Sequence, residues 1–331
     1  MTSADLRIIA APPAAHPNAT PTPAPLSGGF GQTHQKRAEA GVIRTRAELD
    51  AARRILTGRV VLVPTMGALH EGHRALIRAA HTLGDHVIVS IFVNPAQFGP
   101  GEDFDRYPRT PKADLEMCAD EEVDLVFLPD ADDMYGPGLG IRIEAGDLAD
   151  RLEGAVRPGH FSGVLTVVAK LFGMVDPHAA VFGEKDYQQL VLLRAMAREL
   201  ALRTEVYGVP TVREVDGLAL SSRNRYLDEH QRMAARTLSR ALRTGALEAL
   251  HGAASVLAAA QGVLDDEPTL GVDYLVLKDP DLGPAPMSGP ARLLVAARLG
   301  STRLIDNVPV SLGRPASAAN DFPAQTGSRH V

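Results

Sequence analysis

Apolar and polar positions fall in short blocks along the chain. Arg59–Val63 and His86–Val93 are almost wholly apolar runs of strand length, as expected of parallel strands covered on both faces. Asp124–Leu128, Ala179–Phe182 and Thr204–Val209 are three further strand candidates. Between these runs the spacing changes to the helical period: Leu69, Leu76, Ala80 and Leu83 share one face, as do Leu190, Leu193, Ala197 and Leu200. Strand–helix–strand repetition predicts an α/β fold with a doubly wound parallel sheet, whose ligand site lies beyond the carboxyl ends of the strands. After Pro210 the texture changes. A polar loop leads into a helical region from Asp228 to about Leu264, then strands at Val272–Leu277, Arg292–Leu299 and Thr302–Ile305. The Gly300-Ser301 pair between the last two suits a hairpin turn, so a second, smaller α+β C-terminal domain is expected.

Composition sharpens this picture. The 331 residues are 45% hydrophobic and 22% charged, which is enough for a sizeable core in one large or two ordinary domains. Residues 1–40 carry six prolines between Pro12 and Pro25 and no apolar period. They read as a disordered Pro/Ala-rich tail, and residues 313–331 read likewise. The folded part divides at the change of texture into 41–211 and 212–312. A formal net charge of -6 argues against a nucleic-acid surface. The lone Cys118 excludes an intramolecular disulfide and a Cys-rich zinc site, and suits a reducing, cytoplasmic setting. The most apolar stretch, Phe161–Val175, is interrupted by Lys170 and two glycines and falls short of the roughly 18 residues of a membrane span. No apolar core follows a basic start, so no secretory signal is expected.

Four segments carry chemistry. Pro64-Thr-Met-Gly-Ala-Leu-His70-Glu-Gly-His73 follows the first strand run and opens a helix. Gly67 permits a tight turn, and His70 and His73, three apart, can face one side. The helix start is expected to offer unpaired N–H groups to a phosphate. Zinc is the rival reading of two such imidazoles, but HEGH lacks the i, i+4 spacing of HExxH. Phe182-Gly-Glu-Lys185-Asp186-Tyr-Gln-Gln189 is a second strand end running into a helix. There Lys185 can grip phosphates, Gln189 can bond a hydroxyl or carboxylate, and Asp186 can act as an N-cap. Leu220-Ser221-Ser222-Arg223-Asn224 reads as a mobile phosphate clamp. Asn94 and Gln97, just past the second strand run, can orient a small polar substrate without charge repulsion. No GxxxxGK[ST] motif occurs, so a P-loop is excluded.

Taken in order, PTMGALHEGH (Pro64–His73), VSIFVNPAQF (Val89–Phe98), DFDRYPRT (Asp103–Thr110), RPGHFSGVLTVVAKLF (Arg157–Phe172), FGEKDYQQL (Phe182–Leu190) and DGLALSSRNRYL (Asp216–Leu227) resemble the pantoate–β-alanine ligase family over roughly Gly41 to Leu312. Ala96, where many relatives carry Met, departs from the pattern without removing a polar group. The HxGH element alone indicates only a wider nucleotidyltransferase superfamily. The resemblance implies a Rossmann-like nucleotide-binding domain over 41–211, a lid domain over 212–312, and a homodimer formed through the first. It implies an AMP-forming acid–amino-acid ligase that uses ATP, with Mg2+ on its phosphates, to join (R)-pantoate to β-alanine through a pantoyl adenylate. An ATP site of Met66, Gly67, Ala68, Leu69, His70, Glu71, Gly72, His73, Gly183, Glu184, Lys185, Asp186, Val212, Leu220, Ser221, Ser222 and Arg223 follows. His73 is then the proton donor, and His70, Lys185 and Arg223 join it as catalytic groups. Gln97 is expected to hold pantoate and β-alanine, and Gln189 pantoate. The resemblance names no protein ligand for the metal. Another HxGH adenylyltransferase needs no amine site, and a catalytically silent nucleotide-binding protein has no need of all four charged or imidazole groups.

Overall fold

The computed structural model describes residues 41–313 apart from Pro137 and Leu139; apart from Gly313, the two stretches read as tails lie outside the described residues. Strands β1 (Gly41–Ile43), β2 (Val60–Thr65), β3 (His86–Ile91), β4 (Leu125–Phe127), β5 (Ala179–Gly183) and β6 (Glu205–Val209) form one sheet in the order β1-β4-β3-β2-β5-β6. Every pairing in it is parallel. Helices α1 (Arg46–Ile55), α2 (Glu71–His81), α3 (Pro111–Asp120), α4 (Ala131–Tyr135), α5 (Glu153–Val156), α6 (His160–Val175) and α7 (Tyr187–Glu199) lie in the connections. The period of two along β2 explains its unbroken apolar run. Val60 and Leu62 enter one core with α6 and α7, and Val61 and Val63 enter the opposite core with α2 and Cys118 of α3. Helix α6 is apolar on nearly every side because it is a buried core helix. No described helix is long and apolar enough to cross a membrane.

The chain leaves β2 to build β3 and β4 on one side, and later builds β5 and β6 on the other. The reversal falls between neighbours β2 and β5, which pair through Val61–Ala179 and Leu62–Ala180. An open α/β sheet binds ligands at this topological switch, and here it brings the first and second chemical segments side by side.

The C-terminal domain contains α8 (Glu229–Leu247), α9 (Ala253–Asp265) and the antiparallel strands β7 (Gly271–Lys278), β8 (Gly289–Leu299) and β9 (Thr302–Leu312), in the order β7-β8-β9. Leu238 and Leu242 of α8 bury against Leu293, Val295 and Leu299 of β8. β9 runs seven residues beyond the expected Ile305. Asp306, Asn307 and Pro309 interrupt its apolar pattern, and Pro309 is accommodated because β9 is an edge strand.

Other expectations shift for local reasons. β1 and α1 carry almost no apolar signal, since only Ile43 and Leu49 in them are buried. The capping box between Thr45 and Glu48 is the mark that could have revealed α1. The single helical region from Asp228 to Leu264 is two helices, parted at Glu248–Gly252. Leu69 and Leu83 flank α2 without belonging to it, and Leu200 lies past the end of α7, exposed.

Gly163 of α6 approaches the turn Pro95–Gln97 so closely that a Cβ there would sit 2.1 Å from the Ala96 carbonyl oxygen and 2.7 Å from the Gln97 Cα. Gly163→Ala is therefore expected to destabilise the fold by about 1–3 kcal/mol, the usual cost of overpacking. Urea denaturation measures this as a lowered midpoint, and an unchanged midpoint contradicts the packing described.

Candidate active site

The loop after β2 is held from behind by a buried carboxyl group. Asp114 of α3, 2% exposed, accepts the backbone N–H of Ala68 at 3.1 Å and of Leu69 at 2.8 Å, and the Thr110 hydroxyl at 3.0 Å. Gly67 and Ala68 both have positive φ, 82° and 49°. The two N–H bonds help to hold the non-glycine Ala68 in that conformation against its steric cost. Met66 and the two histidines then turn toward the cleft. The backbone N–H of Gly72 donates to His70 Nδ1 at 3.1 Å, and that of His70 donates to His73 Nδ1 at 3.2 Å. Each imidazole thus has an accepting Nδ1, which leaves Nε2–H as its donor. The rings lie 4.1 Å apart. At the start of α2 the N–H of Gly72 is taken by His70 Nδ1 and that of His73 by the His70 carbonyl. In the preceding loop those of Gly67, Ala68, Leu69 and His70 are also engaged within the protein, and the two imidazoles face the cleft.

The opposite wall is the turn after β5. Lys185 Nζ lies 4.0 Å from Asp186 Oδ1. Asn307 of β9 donates from Nδ2 to the carbonyls of Glu184 and Lys185, both at 2.9 Å. Arg292 of β8 pairs with Glu184 at 3.1 Å and stacks 3.9 Å above the Tyr187 ring. Asn307, one of the residues that obscured β9 in the sequence, fixes the lysine turn. Asp186 takes the N-cap position of α7, as expected, but its side chain makes no cap hydrogen bond.

The Ser-Arg segment forms a short 3-10 turn, Ser222–Tyr226, docked on the first loop by Ser222 Oγ, which donates to the Ala68 carbonyl at 3.3 Å. Arg223 is not a free clamp. Its Nε and Nη2 both contact Asp103, each at 3.0 Å, and its guanidinium lies over Tyr107. Burial alone would raise the Asp103 carboxyl, but the Arg223 bonds outweigh it and hold the group below its ordinary range.

On the floor, Gln97 Nε2 points at Met66 Sδ, 3.0 Å away. Arg157 chelates Glu102 at 2.8 and 2.6 Å and contacts His160 Nε2 at 3.0 Å. His160 Nδ1–H in turn donates to the Gln97 carbonyl at 2.8 Å. The sequence left the Arg157–His160 segment without a role, and geometry makes it the support of Gln97. Asn94 lines the same cavity as Gln97, beneath its surface. It is 1% exposed, and both ends of its amide are engaged by Gln97, Gly163, Ala96 and Tyr135.

His70, His73, Lys185 and Arg223 all line one cavity of about 230 Å³, with Met66, Gly72, Gln97, Gly183, Asp186, Gln189, Val212, Leu220, Ser221 and Ser222. It shares Arg157, His160, Lys185, Asp186, Gln189, Ser221 and Arg223 with a larger neighbouring hollow of about 660 Å³. Five expected nucleotide contacts lie off this wall. Gly67, Ala68 and Leu69 are turned onto Asp114, Glu71 pairs with Arg74, and Glu184 pairs with Arg292. Among the described residues no group of three His, Cys, Asp or Glu side chains could hold a metal ion. Asp114 and Asn307 carried no sequence signal as site residues.

A switch-point cleft lined by two imidazoles, an ammonium and a guanidinium defines an α/β enzyme that handles a phosphorylated nucleotide. Residues 41–309 match the Pantoate-beta-alanine ligase family. A pantothenate synthetase of Saccharopolyspora erythraea is 60% identical over 268 residues, 81% of this chain and 89% of that one. One of Mycolicibacterium smegmatis is 56% identical over 294 residues, 88% and 93% of the two chains. Among solved structures, a pantothenate synthetase of Thermus thermophilus aligns with a TM-score of 0.78 at 48% identity, covering 81% of this chain and 98% of its own. A Francisella tularensis pantoate-beta-alanine ligase complexed with beta-gamma ATP and β-alanine aligns at 0.69 and 34% identity, covering 81% and 97%. The chain belongs to the pantoate-beta-alanine ligase family, whose reaction is the ATP-dependent joining of pantoate and β-alanine into pantothenate.

Burial first, then the Lys185 and Arg225 charges, lower the His70 pKa to about 4. Burial, His70 and Lys185 lower that of His73 to about 3. An unfolded chain protonates these imidazoles near pH 6.5 and the folded one only well below that, so the unfolded state binds more protons in between. The stability they contribute is full above pH 6.5 and falls as pH drops toward 4. Histidine Cε1–H resonances of the free enzyme, assigned with His70→Asn and His73→Asn, are expected to show no titration of either ring between pH 5 and 8. A midpoint near 6.5 for either contradicts the neutral pair.

Proposed function

We propose that this chain carries out its family's reaction with the cleft residues in the following roles. ATP lies along the switch point, with Gly183 and Val212 beside the nucleoside and Lys185, Ser221, Ser222 and Arg223 along the phosphates. Pantoate lies against Met66, Gln97 and Gln189. Its carboxylate oxygen attacks the α-phosphorus, the bond to the β-phosphate bridging oxygen breaks, and pyrophosphate leaves with the electron pair. The amine of β-alanine then attacks the acyl carbon of pantoyl adenylate, a nitrogen proton is lost to solvent, and AMP departs.

The observation that carries these roles is the convergence of His70, His73, Lys185 and Arg223 on one hollow with the Gln97 and Gln189 amides. Negative charge grows on the phosphorus oxygens as the adenylate forms. The two Nε2–H groups and the Lys185 ammonium are already oriented there, so little reorganisation is needed at the moment of reaction. Neutral imidazoles act in this reading as fixed hydrogen-bond donors, which refines the proton-donor role expected of His73. We assign Mg2+ to the triphosphate. The nearby Asp103 and Glu102 are engaged by Arg223 and Arg157, which favours phosphate and water ligands, and the ion would offset phosphate charge. The family resemblance supports a homodimer formed through the larger sheet and a domain boundary near Val212, and the single buried thiol, Cys118, suits a cytoplasmic setting.

Pantoate-dependent exchange between pyrophosphate and ATP tests the roles. His73→Ala and Lys185→Ala are expected to fold normally and to lose exchange by about 10²–10³-fold, the usual effect of removing one such donor. Near-wild-type exchange in both variants contradicts the assignment.

A further inference from the structure

We infer that Tyr135, outside the cleft, is a positioning residue for pantoate, acting through Asn94 on the amide of Gln97. The inference rests on the reading of Gln97 as a pantoate contact.

The argument begins with which end of each amide is which. The Ala96 backbone N–H, a donor only, lies 3.2 Å from Asn94 Oδ1. The Gly163 carbonyl, an acceptor only, lies 3.2 Å from Asn94 Nδ2. These two backbone groups settle the orientation of Asn94. Tyr135 at the end of α4 then has one possible role toward it, donating its O–H to Oδ1 at 2.5 Å. Burial pushes the Tyr135 phenol up to about 12, so the proton stays in place at working pH. The second Nδ2 proton of Asn94 meets Gln97 Oε1 at 3.0 Å. Gln97 therefore has its carbonyl end engaged and its Nε2 aimed at Met66 in the cavity.

The polarity matters because thioether sulfur is a weak acceptor. The N–H is parked on a partner that a substrate carboxylate or hydroxyl oxygen displaces at little cost. A flipped Gln97 would instead turn its carbonyl oxygen toward pantoate and repel the carboxylate. Tyr135 lines neither hollow of the cleft, so it reaches substrate only through this chain of bonds. Tyr135→Phe keeps its ring, and with it the contacts to Phe92 at 6.0 Å and the Lys170 ammonium at 5.7 Å.

A double-mutant cycle on the full-length enzyme separates positioning from bulk structure. Tyr135→Phe is expected to raise the KM for pantoate about threefold to tenfold, the range of one hydrogen bond, with the KM for ATP within twofold of wild type. In a Gln97→Ala background the same change is expected to add nothing to the pantoate KM. An unchanged pantoate KM in Tyr135→Phe, an equal rise for ATP, or full additivity with Gln97→Ala each overturns the inference while the Gln97 role stands. If Gln97→Ala itself leaves the pantoate KM unchanged, the reading of Gln97 falls and the inference falls with it.

Discussion

Asp114 holds the site in shape. Its two carboxyl oxygens take the Ala68 and Leu69 N–H groups and the Thr110 hydroxyl in a setting closed to water. Unpaired, any of those groups would carry a desolvation cost of roughly 1–3 kcal/mol. With the bonds made, the loop can keep two consecutive residues at positive φ and start α2 where both imidazoles face the cleft. Their tautomers are then set by backbone N–H groups of the same turn. The carboxyl group lies behind the loop and never enters the cavity, yet the donors in front depend on it.

The far wall follows the same logic with different chemistry. The Lys185 turn has no buried acid behind it. It hangs by two carbonyls from the amide of Asn307, while Arg292 braces Glu184. Asp306, 3% exposed, binds Arg213 at 2.6 and 2.9 Å and ties the loop that leads into the Ser-Arg segment to the same strand. The small antiparallel sheet thus supports the backbone of the cleft wall, and its Thr302 and Asn307 also line the larger hollow beside it.

The sequence displayed the first sheet well because its central strands are buried on both faces, and an unbroken apolar run is a strong signal. β1 and α1 were invisible because each offers one buried side chain. β9 was cut short because its working residues, Asp306 and Asn307, break the apolar pattern. The same contrast holds at the site. His70, His73, Lys185 and Arg223 stand out because titratable groups at strand ends are unusual, and the structure brings them together. Asp114 and Tyr135 look like ordinary helix residues, and their importance lies in what they meet across gaps of 46 and 41 positions. Local spacing cannot report such contacts. Nor could it show that Arg223 is already paired with Asp103, 120 positions away.

The most direct measurement is the single-turnover rate of pantoyl adenylate formation in Asp114→Asn, a change that keeps size and shape but turns a donor toward the loop N–H groups. Misplacement of catalytic groups by about 1 Å can cost on the order of 10² in rate. A loss of at least that size, in protein with unchanged circular dichroism, is the predicted result. A rate within about threefold of wild type would show that the loop holds its imidazoles without the buried acid, and the account would be wrong at its base.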